Sequence, residues 1–333
     1  MATRLIQQGV REEAERLYRQ MKHLDYSMQD CLHFAPLTLE INRLKKEKNA
    51  VILAHNYQRP EVLFGIADFT GDSFGLSVNA KEANAGTILF CGVQFMAETA
   101  KILNPSRKVL IPSLEAGCSL AENITAEDVR GLKSKHPGAK VVCYVNTSAD
   151  VKAESDVCCT SANALKVIES VDSGEVIFIP DALMARNLAE KTTKKIHSWT
   201  ATCIVHESFT AEQVAEYKAR FPEMKVLSHL ECPPEVIKIS DMAGGTSDMY
   251  DYIKNSDARQ FMLVTECGMS DLLRARFPEK EFINPCSICP YMKKIELGNI
   301  LSALREERFE IKIPERVRQK AQKSLDAMLA IGK

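Results

Sequence analysis

With 333 residues, 45% of them hydrophobic, and a formal charge of −1, this chain exceeds the roughly 100–200 residues of one typical domain and offers no electrostatic case for a nucleic-acid partner. It has no run of about 18 apolar residues, so no membrane-spanning helix is expected. Eleven cysteines, an odd count in a chain without a secretory apolar core, argue for free thiols, metal ligation or catalysis in a cytoplasmic protein rather than a disulfide framework.

Residues 1–36 read as a charged helical segment on the surface. The amphipathic stretch Leu37–Lys48 then precedes an apolar run, Val51–Ala54, followed by Thr87–Phe90, a helix over Gln94–Leu103, and Lys108–Ile111. A helix at Ala126–Lys135 opens a second series: Val141–Tyr144, a helix near Ala162–Ser170, Val176–Ile179 and a helix at Ala182–Lys191. The third has a helix at Ala211–Arg220, Lys225–Ser228, a helix near Ser247–Lys254, Phe261–Val264 and a helix at Asp271–Arg276. The tail, Ser302–Lys333, reads as a charged helix broken at Pro314 with a structural role only. Short apolar runs alternating with helices predict an α/β fold with parallel sheets and helical crossovers. Ligands on such sheets gather at the carboxyl ends of the strands.

The series is a repeat. Ile124-Thr-Ala-Glu-Asp-Val returns as Phe209-Thr-Ala-Glu-Gln-Val 85 residues later, and the offset holds through Lys133/Lys218, Pro137/Pro222 and Asp156/Asp241. A fainter copy starts at Leu37, 87 residues before Ile124. Cys118, Cys203 and Cys289 close the copies at spacings of 85 and 86 residues. The expected units are 37–118, 119–203 and 204–289, between terminal segments 1–36 and 290–333. A pseudo-threefold packing would bring the three thiolates to one point.

Just after the first strand of each copy stand His55/Tyr57, Tyr144/Asn146 and His229/Glu231, pairs that an extended chain points the same way. Further on, Ser73, Ser161 and Thr246 each precede a helix-like stretch, the place of an N-cap and of an anion site. Any one of them alone reads equally well as a cap. At three equivalent positions they favour a shared phosphate or carboxylate site. A lone histidine near a strand end is usually structural, but His55, Tyr144 and His229 repeated around a cysteine triangle point to catalysis. His206 follows Cys203 and is placed behind it. His23, His33, His136 and His197 are given no role. Cys31, Cys91, Cys143, Cys158, Cys159, Cys232 and Cys267 read as buried small hydrophobes or incidental thiols.

Cys286-Ser-Ile-Cys289 is a CxxC. A zinc ribbon needs a second pair at ribbon spacing, which is absent. A redox pair remains a reading, and so does a metal ligand beside a bystander. The 86-residue spacing selects Cys289 as the ligand over Cys286. Three thiolates and an open fourth position suggest a [4Fe–4S] cluster whose free iron acts as a Lewis acid. The rival reading is a non-catalytic small-molecule binder pinned by structural zinc at the same cysteines. A nucleotide-dependent dehydrogenase is disfavoured, because no G-x-G-x-x-G follows a strand.

Segments in all three copies resemble the quinolinate synthase family, enzymes that make the pyridine ring for NAD. They include Ala54-His-Asn-Tyr-Gln, Ala67-Asp-Phe-Thr-Gly-Asp-Ser, Phe90-Cys-Gly-Val-Gln-Phe-Met-Ala-Glu-Thr-Ala-Lys and Glu115-Ala-Gly-Cys-Ser-Leu-Ala. Further along are Tyr144-Val-Asn-Thr-Ser-Ala-Asp-Val-Lys-Ala, Thr160-Ser-Ala-Asn-Ala, Cys203-Ile-Val-His-Glu, His229-Leu-Glu-Cys and Cys289-Pro-Tyr-Met-Lys. The resemblance implies three αβα domains in a triangle around one [4Fe–4S] cluster on Cys118, Cys203 and Cys289. It implies a transferase-type condensation of iminoaspartate with dihydroxyacetone phosphate to quinolinate, with loss of phosphate and two waters. A separate aspartate oxidase or dehydrogenase would supply the iminoaspartate, and the oligomeric state stays open. By the same resemblance, Ser161 and Thr246 hold carboxylate or phosphate oxygens, and His55 and Ser73 bind the other carboxylate. Tyr57 and Glu231 are the acid–base candidates, Tyr144 and His229 share the catalytic centre, and Asn146 approaches the open iron. Two departures stand out. Gly245-Thr246 replaces the Ser-Thr of many relatives, so the Gly245 N–H is expected to substitute in anion binding. Ile283 stands where some relatives have a further cysteine, so a redox switch would rest on Cys286 and Cys289 alone.

Overall fold

The computed structural model describes residues 2–82, 84–283 and 285–332. Met1 and Lys333, at the limits of the expected terminal segments, lie outside the described residues. The architecture is three parallel four-stranded sheets flanked by helices. The first contains β1 (Ala50–His55), β2 (Phe69–Gly71), β3 (Thr87–Cys91) and β4 (Lys108–Leu110) in the order β2-β1-β3-β4. The second, of β5 (Lys140–Tyr144), β6 (Val157–Cys159), β7 (Glu175–Ile179) and β8 (Lys195–Ser198), runs β6-β5-β7-β8. The third, of β9 (Lys225–His229), β10 (Met242–Gly244), β11 (Gln260–Val264) and β12 (Glu281–Ile283), runs β10-β9-β11-β12. One topology is therefore used three times. The two central strands of each sheet are almost wholly buried, as continuous apolar runs covered on both faces require.

The repeated residues have repeated work. Thr125 and Thr210 cap the helices Ala126–Lys135 and Ala211–Arg220, each accepting an N–H three residues on, a contact worth about 1 kcal/mol. Asp68, Asp156 and Asp241 each accept the backbone N–H of a central strand, from Ile52, Val141 and Val226 at 2.8, 2.8 and 2.9 Å. That clip aligns the short strands β2, β6 and β10, which have too few apolar residues to be legible in the sequence.

The helix expected at Leu37–Lys48 is the second half of a longer one, Met28–Glu47, which runs through Pro36. Ser27 and Asp30 form a capping box at its start. Pro36 and Leu32 are both exposed, so the Leu32 carbonyl that lacks a partner at Pro36 meets water. The helix Ala2–Met21 packs on it through Ala14, Leu17 and Met21 against Cys31 and Ala35. At the other end, Leu297–Glu306 returns to Met28–Glu47, and Glu315–Ile331 packs against the second sheet. One hydrophobic cluster runs through all three sheets, so the units share a core. Among the described residues no helix is long and apolar enough to cross a membrane.

Candidate active site and three-cysteine centre

The strands β1, β5 and β9 end at His55, Tyr144 and His229, and the chain turns there to present Tyr57, Asn146 and Glu231 two residues on. All six line one cavity, together with Ser73, Ser161, Thr246, Cys118, Cys203 and Cys289. The structure therefore brings every candidate residue to the carboxyl ends of the sheets around a common space.

The turns are pinned by the histidines themselves. His55 Nδ1 accepts the Tyr57 N–H at 3.2 Å, and His229 Nδ1 accepts the Glu231 N–H at 3.3 Å. Burial pushes His55 down to about 4 and His229 down to about 3, against the opposing pull of nearby carboxylates. Both rings are thus neutral near pH 7. With Nδ1 accepting, the ring proton sits on Nε2 as a hydrogen-bond donor.

A line of hydrogen bonds crosses all three units. Tyr144 Oη donates to Glu231 Oε1 at 2.5 Å, and His206 Nδ1 is 2.7 Å from Glu231 Oε2. His206 Nε2 is 2.9 Å from Thr265 Oγ1, which is 2.7 Å from Tyr57 Oη. One polarity satisfies every atom: Tyr57 donates to Thr265, Thr265 donates to His206, and His206 and Tyr144 donate to Glu231. Burial alone would raise the carboxyl pKa of Glu231, but His229, His206 and Tyr144 hold it well below the usual range. Burial pushes the Tyr57 and Tyr144 phenols well above their ordinary value. Asn146 Nδ2 lies 3.5 Å from Glu231 Oε1, while Asn146 Oδ1 is buried with no partner.

No local motif in the sequence marks Thr265, and the sequence sets His206 only behind Cys203. Thr265 directly follows β11, so the strand-end rule applied to the third strand of the sheet would have found it. Glu266, also buried in the cavity wall, lies 85 residues after Asp181, and both carboxylates cap the next helix. Glu266 pairs with Lys293 at 3.0 Å and accepts the Cys289 N–H at 3.3 Å, while Lys293 donates to the Tyr57 carbonyl at 2.6 Å. That knot ties the Cys289 loop to the first unit.

The hydroxyl residues do not serve as caps. Ser73 and Thr246 are the first residues of their helices, and Ser161 precedes the cap Asn163. The capping contacts fall to neighbours: Asp72 accepts the Gly75 N–H at 2.7 Å, and Asp248 accepts the Gly245 N–H at 2.7 Å. The second contact corrects the expectation for Gly245, whose N–H is engaged by Asp248 rather than offered to an anion. What Gly245 contributes is space, since a Cβ there would come 2.6 Å from Ser161 Oγ.

Cys118, Cys203 and Cys289 are free and half-buried. Each is followed three residues later by a short helical turn, Ala121–Asn123, His206–Ser208 and Met292–Lys294. The turns aim two backbone N–H groups at each sulfur. Leu120 and Ala121 serve Cys118, Val205 and His206 serve Cys203, and Tyr291 and Met292 serve Cys289. Burial pushes all three thiols up, Cys118 to about 12, and these donors pull the other way by favouring thiolate. Three soft sulfur donors, each favoured as thiolate by two backbone N–H groups, fit a thiolate-ligated iron–sulfur centre. Cys203 Sγ, His206 and a Glu231 oxygen lie within 4.8 Å of one another, which puts the carboxylate beside Cys203.

Cys286 pairs with Cys267 in a disulfide. This corrects both the reading of Cys267 as an incidental thiol and the expectation that a redox pair would be Cys286 with Cys289. The cause is tertiary: Glu266 and Ser287 pair as a parallel bridge, and the Cys267 N–H donates to the Ser287 carbonyl at 3.2 Å. The chain leaving β12 therefore runs beside the end of β11, with Cα atoms of the two cysteines 5.1 Å apart.

The profile of the family described as "Quinolinate synthetase A protein" matches residues 39–330. A quinolinate synthase of Caulobacter vibrioides is 48% identical over 299 residues, covering 89% of this chain and 82% of its own. One of Xylella fastidiosa is 49% identical over 291 residues, covering 87% and 86%. One of Sinorhizobium fredii is 45% identical over 321 residues, covering 96% and 89%. With a match across nearly its whole length, on a fold that gathers its strand ends and three cradled cysteines around one cavity, this chain belongs to the quinolinate synthetase A protein family.

Proposed function

We propose that the chain is a quinolinate synthase that condenses iminoaspartate with dihydroxyacetone phosphate, releasing phosphate and two waters. Atoms and electrons balance without an oxidant, so the reaction asks for acid–base and Lewis-acid chemistry rather than electron transfer. The observation that carries this reading is the convergence of the three cradled cysteines with the chain Tyr57, Thr265, His206, Glu231, Tyr144.

Cys118, Cys203 and Cys289 would hold a [4Fe–4S] cluster. Bound there, the cluster would supply an iron without a cysteine ligand, a Lewis acid that helps a hydroxyl leave as water. The remaining chemistry falls to side chains. The neutral His55 donates from Nε2 and, with the Ser73 hydroxyl, binds one carboxylate. Ser161 and Thr246 hold carboxylate or phosphate oxygens from the facing units. Glu231, ionised and buried, is the base, and His229, stacked on His206 with ring centroids 4.4 Å apart, completes its surroundings. Tyr57, at the far end of the same hydrogen-bonded line, is the second acid–base candidate for isomerisation and dehydration. Tyr144 holds the Glu231 carboxylate in place, and Asn146 offers its unpartnered Oδ1 to a substrate N–H or O–H.

Anaerobic purification with iron and sulfide quantitation tests the reading. About four of each per chain, with quinolinate formed when an aspartate oxidase or dehydrogenase supplies iminoaspartate, is the expected result. Zinc without iron after anaerobic reconstitution, and no quinolinate, would favour the structurally pinned binder.

A further inference from the structure

We propose that Lys152 is a positioning residue that aims Asn146 at the substrate by clamping the tight turn of which Asn146 is the apex. The inference rests on the proposed quinolinate synthase reaction for its kinetic readout.

Lys152 lies in the short helix Ala149–Ala153 and is fully buried. Its ammonium donates to the Val145 carbonyl at 2.8 Å and also to the Thr147 carbonyl. Those two carbonyls flank Asn146. The Thr147 N–H itself donates to the Val145 carbonyl at 2.8 Å, a bond that closes a three-residue turn around Asn146. Asn146 is absent from the residues of positive φ, so the turn is of the inverse γ kind. One ammonium thus bridges both sides of the turn.

The rest of this segment is tied down from behind. The Val145 N–H donates to the Cys159 carbonyl at 2.9 Å, Thr147 Oγ1 donates to the Tyr144 carbonyl at 3.2 Å, and the Ala149 N–H donates to Glu98 at 2.8 Å. Only the Asn146 side chain is left facing the cavity, with Oδ1 unpartnered. The Phe95 ring stands 5.6 Å from the ammonium and forms part of the cavity wall. Lys152 itself does not line the cavity, which makes it a positioning residue.

The repeat explains why a lysine is needed here. In the first and third copies a histidine Nδ1 accepts the N–H two residues on and pins the turn. The second copy has Tyr144 in that place, and its hydroxyl is committed to Glu231. The third copy carries Ile237 at the position of Lys152, where no second clamp is required. Burying an ammonium costs several kcal/mol, and methionine would fill the same volume without that cost. What methionine cannot do is donate to two carbonyls at once.

A double-mutant cycle on the anaerobically purified holoenzyme tests the proposal. Asn146→Ala and Lys152→Met should each lower kcat by about 10- to 100-fold, the range expected from displacing one group by about an ångström. Because Lys152 acts through Asn146, the double variant should lose no more than the worse single variant. Losses that multiply would overturn the proposal, as would full activity in Lys152→Met. Amide hydrogen exchange gives a readout independent of the reaction. Residues 145–149 should exchange faster in Lys152→Met while the strands β5, β6 and β7 keep their protection, and unchanged exchange there would overturn the clamp. That measurement decides the clamp even where wild-type protein forms no quinolinate, an outcome that would instead sink the proposed reaction. Where Lys152→Met fails to fold, Lys152→Gln, which keeps donors on a shorter side chain, enters the same cycle with the same two criteria.

Discussion

Tyr144 and Glu231 stand 87 residues apart in the chain, and their side chains meet at 2.5 Å in the buried centre of the molecule. The contact joins the ends of two strands in different sheets, and it helps keep a fully buried carboxylate ionised. Tyr144→Phe removes the donor and leaves the carboxylate one partner short, a change of about 1.5–3 kcal/mol for a bond to a charged group. The expected outcome is a loss of kcat of about 10- to 100-fold with a rise in the pKa of Glu231. The acidic limb of the kcat/KM profile should therefore move to higher pH. A pH profile superimposable on wild type would show that Glu231 does not depend on this bond.

The hydrogen-bonded line has its weakest link at Thr265. Thr265→Val keeps the shape and removes the hydroxyl that joins Tyr57 to His206. Two buried polar atoms then lose their partner, at about 1–3 kcal/mol of stability. Activity should fall further than stability does, because the path between Tyr57 and Glu231 is cut. Denaturation curves and kcat measured on the same preparation check this, and an unstable but fully active variant would reduce Thr265 to a structural residue.

The three N–H cradles predict which cysteines matter for metal. Cys118→Ser, Cys203→Ser and Cys289→Ser should each lose bound iron, whereas Cys286→Ser should retain it, since Cys286 is paired with Cys267 rather than aimed at the cavity. Iron and sulfide content, measured anaerobically, reports the result. Iron lost from Cys286→Ser but kept in Cys289→Ser would reverse the assignment.

Acid should destabilise the metal-free chain through His55 and His229. Their folded pKa values, about 4 and about 3, lie below the ordinary value of about 6.5. Between those limits the unfolded chain takes up protons that the folded one refuses, so this stability is present above pH 6.5 and is lost as the pH falls. Going from pH 7 to pH 5 should cost about 2 kcal/mol per histidine. Urea midpoints across that range test it, and His229→Gln should show a shallower fall. Equal slopes for the variant and wild type would mean that His229 titrates normally when folded.

Much of the fold was legible because it is local. Apolar runs announced the central strands, the helix Gln94–Leu103 was bounded to the residue, and the recurrence of Thr125, Asp156 and their partners marked a repeat whose residues prove to be caps and strand clips. The helix through Pro36 was missed because a proline in sequence does not say whether the freed carbonyl will face water. The hydroxyls Ser73 and Thr246 fall one residue past the capping position, since caps and first helical residues differ by a backbone angle rather than by composition.

By itself the sequence determined three α/β units, the strand ends that carry polar side chains, and the spacing that singles out Cys118, Cys203 and Cys289. These follow from periodicity and register, which are properties of neighbours along the chain. The tertiary structure decided which of those side chains touch. It joined Thr265 to Tyr57 and His206, gave Cys286 to Cys267, engaged the Gly245 N–H with Asp248, and set Lys152 behind Asn146. The physical reason is that such contacts depend on how separate sheets and loops pack against one another, and no spacing within one unit encodes the distance to a side chain in the next.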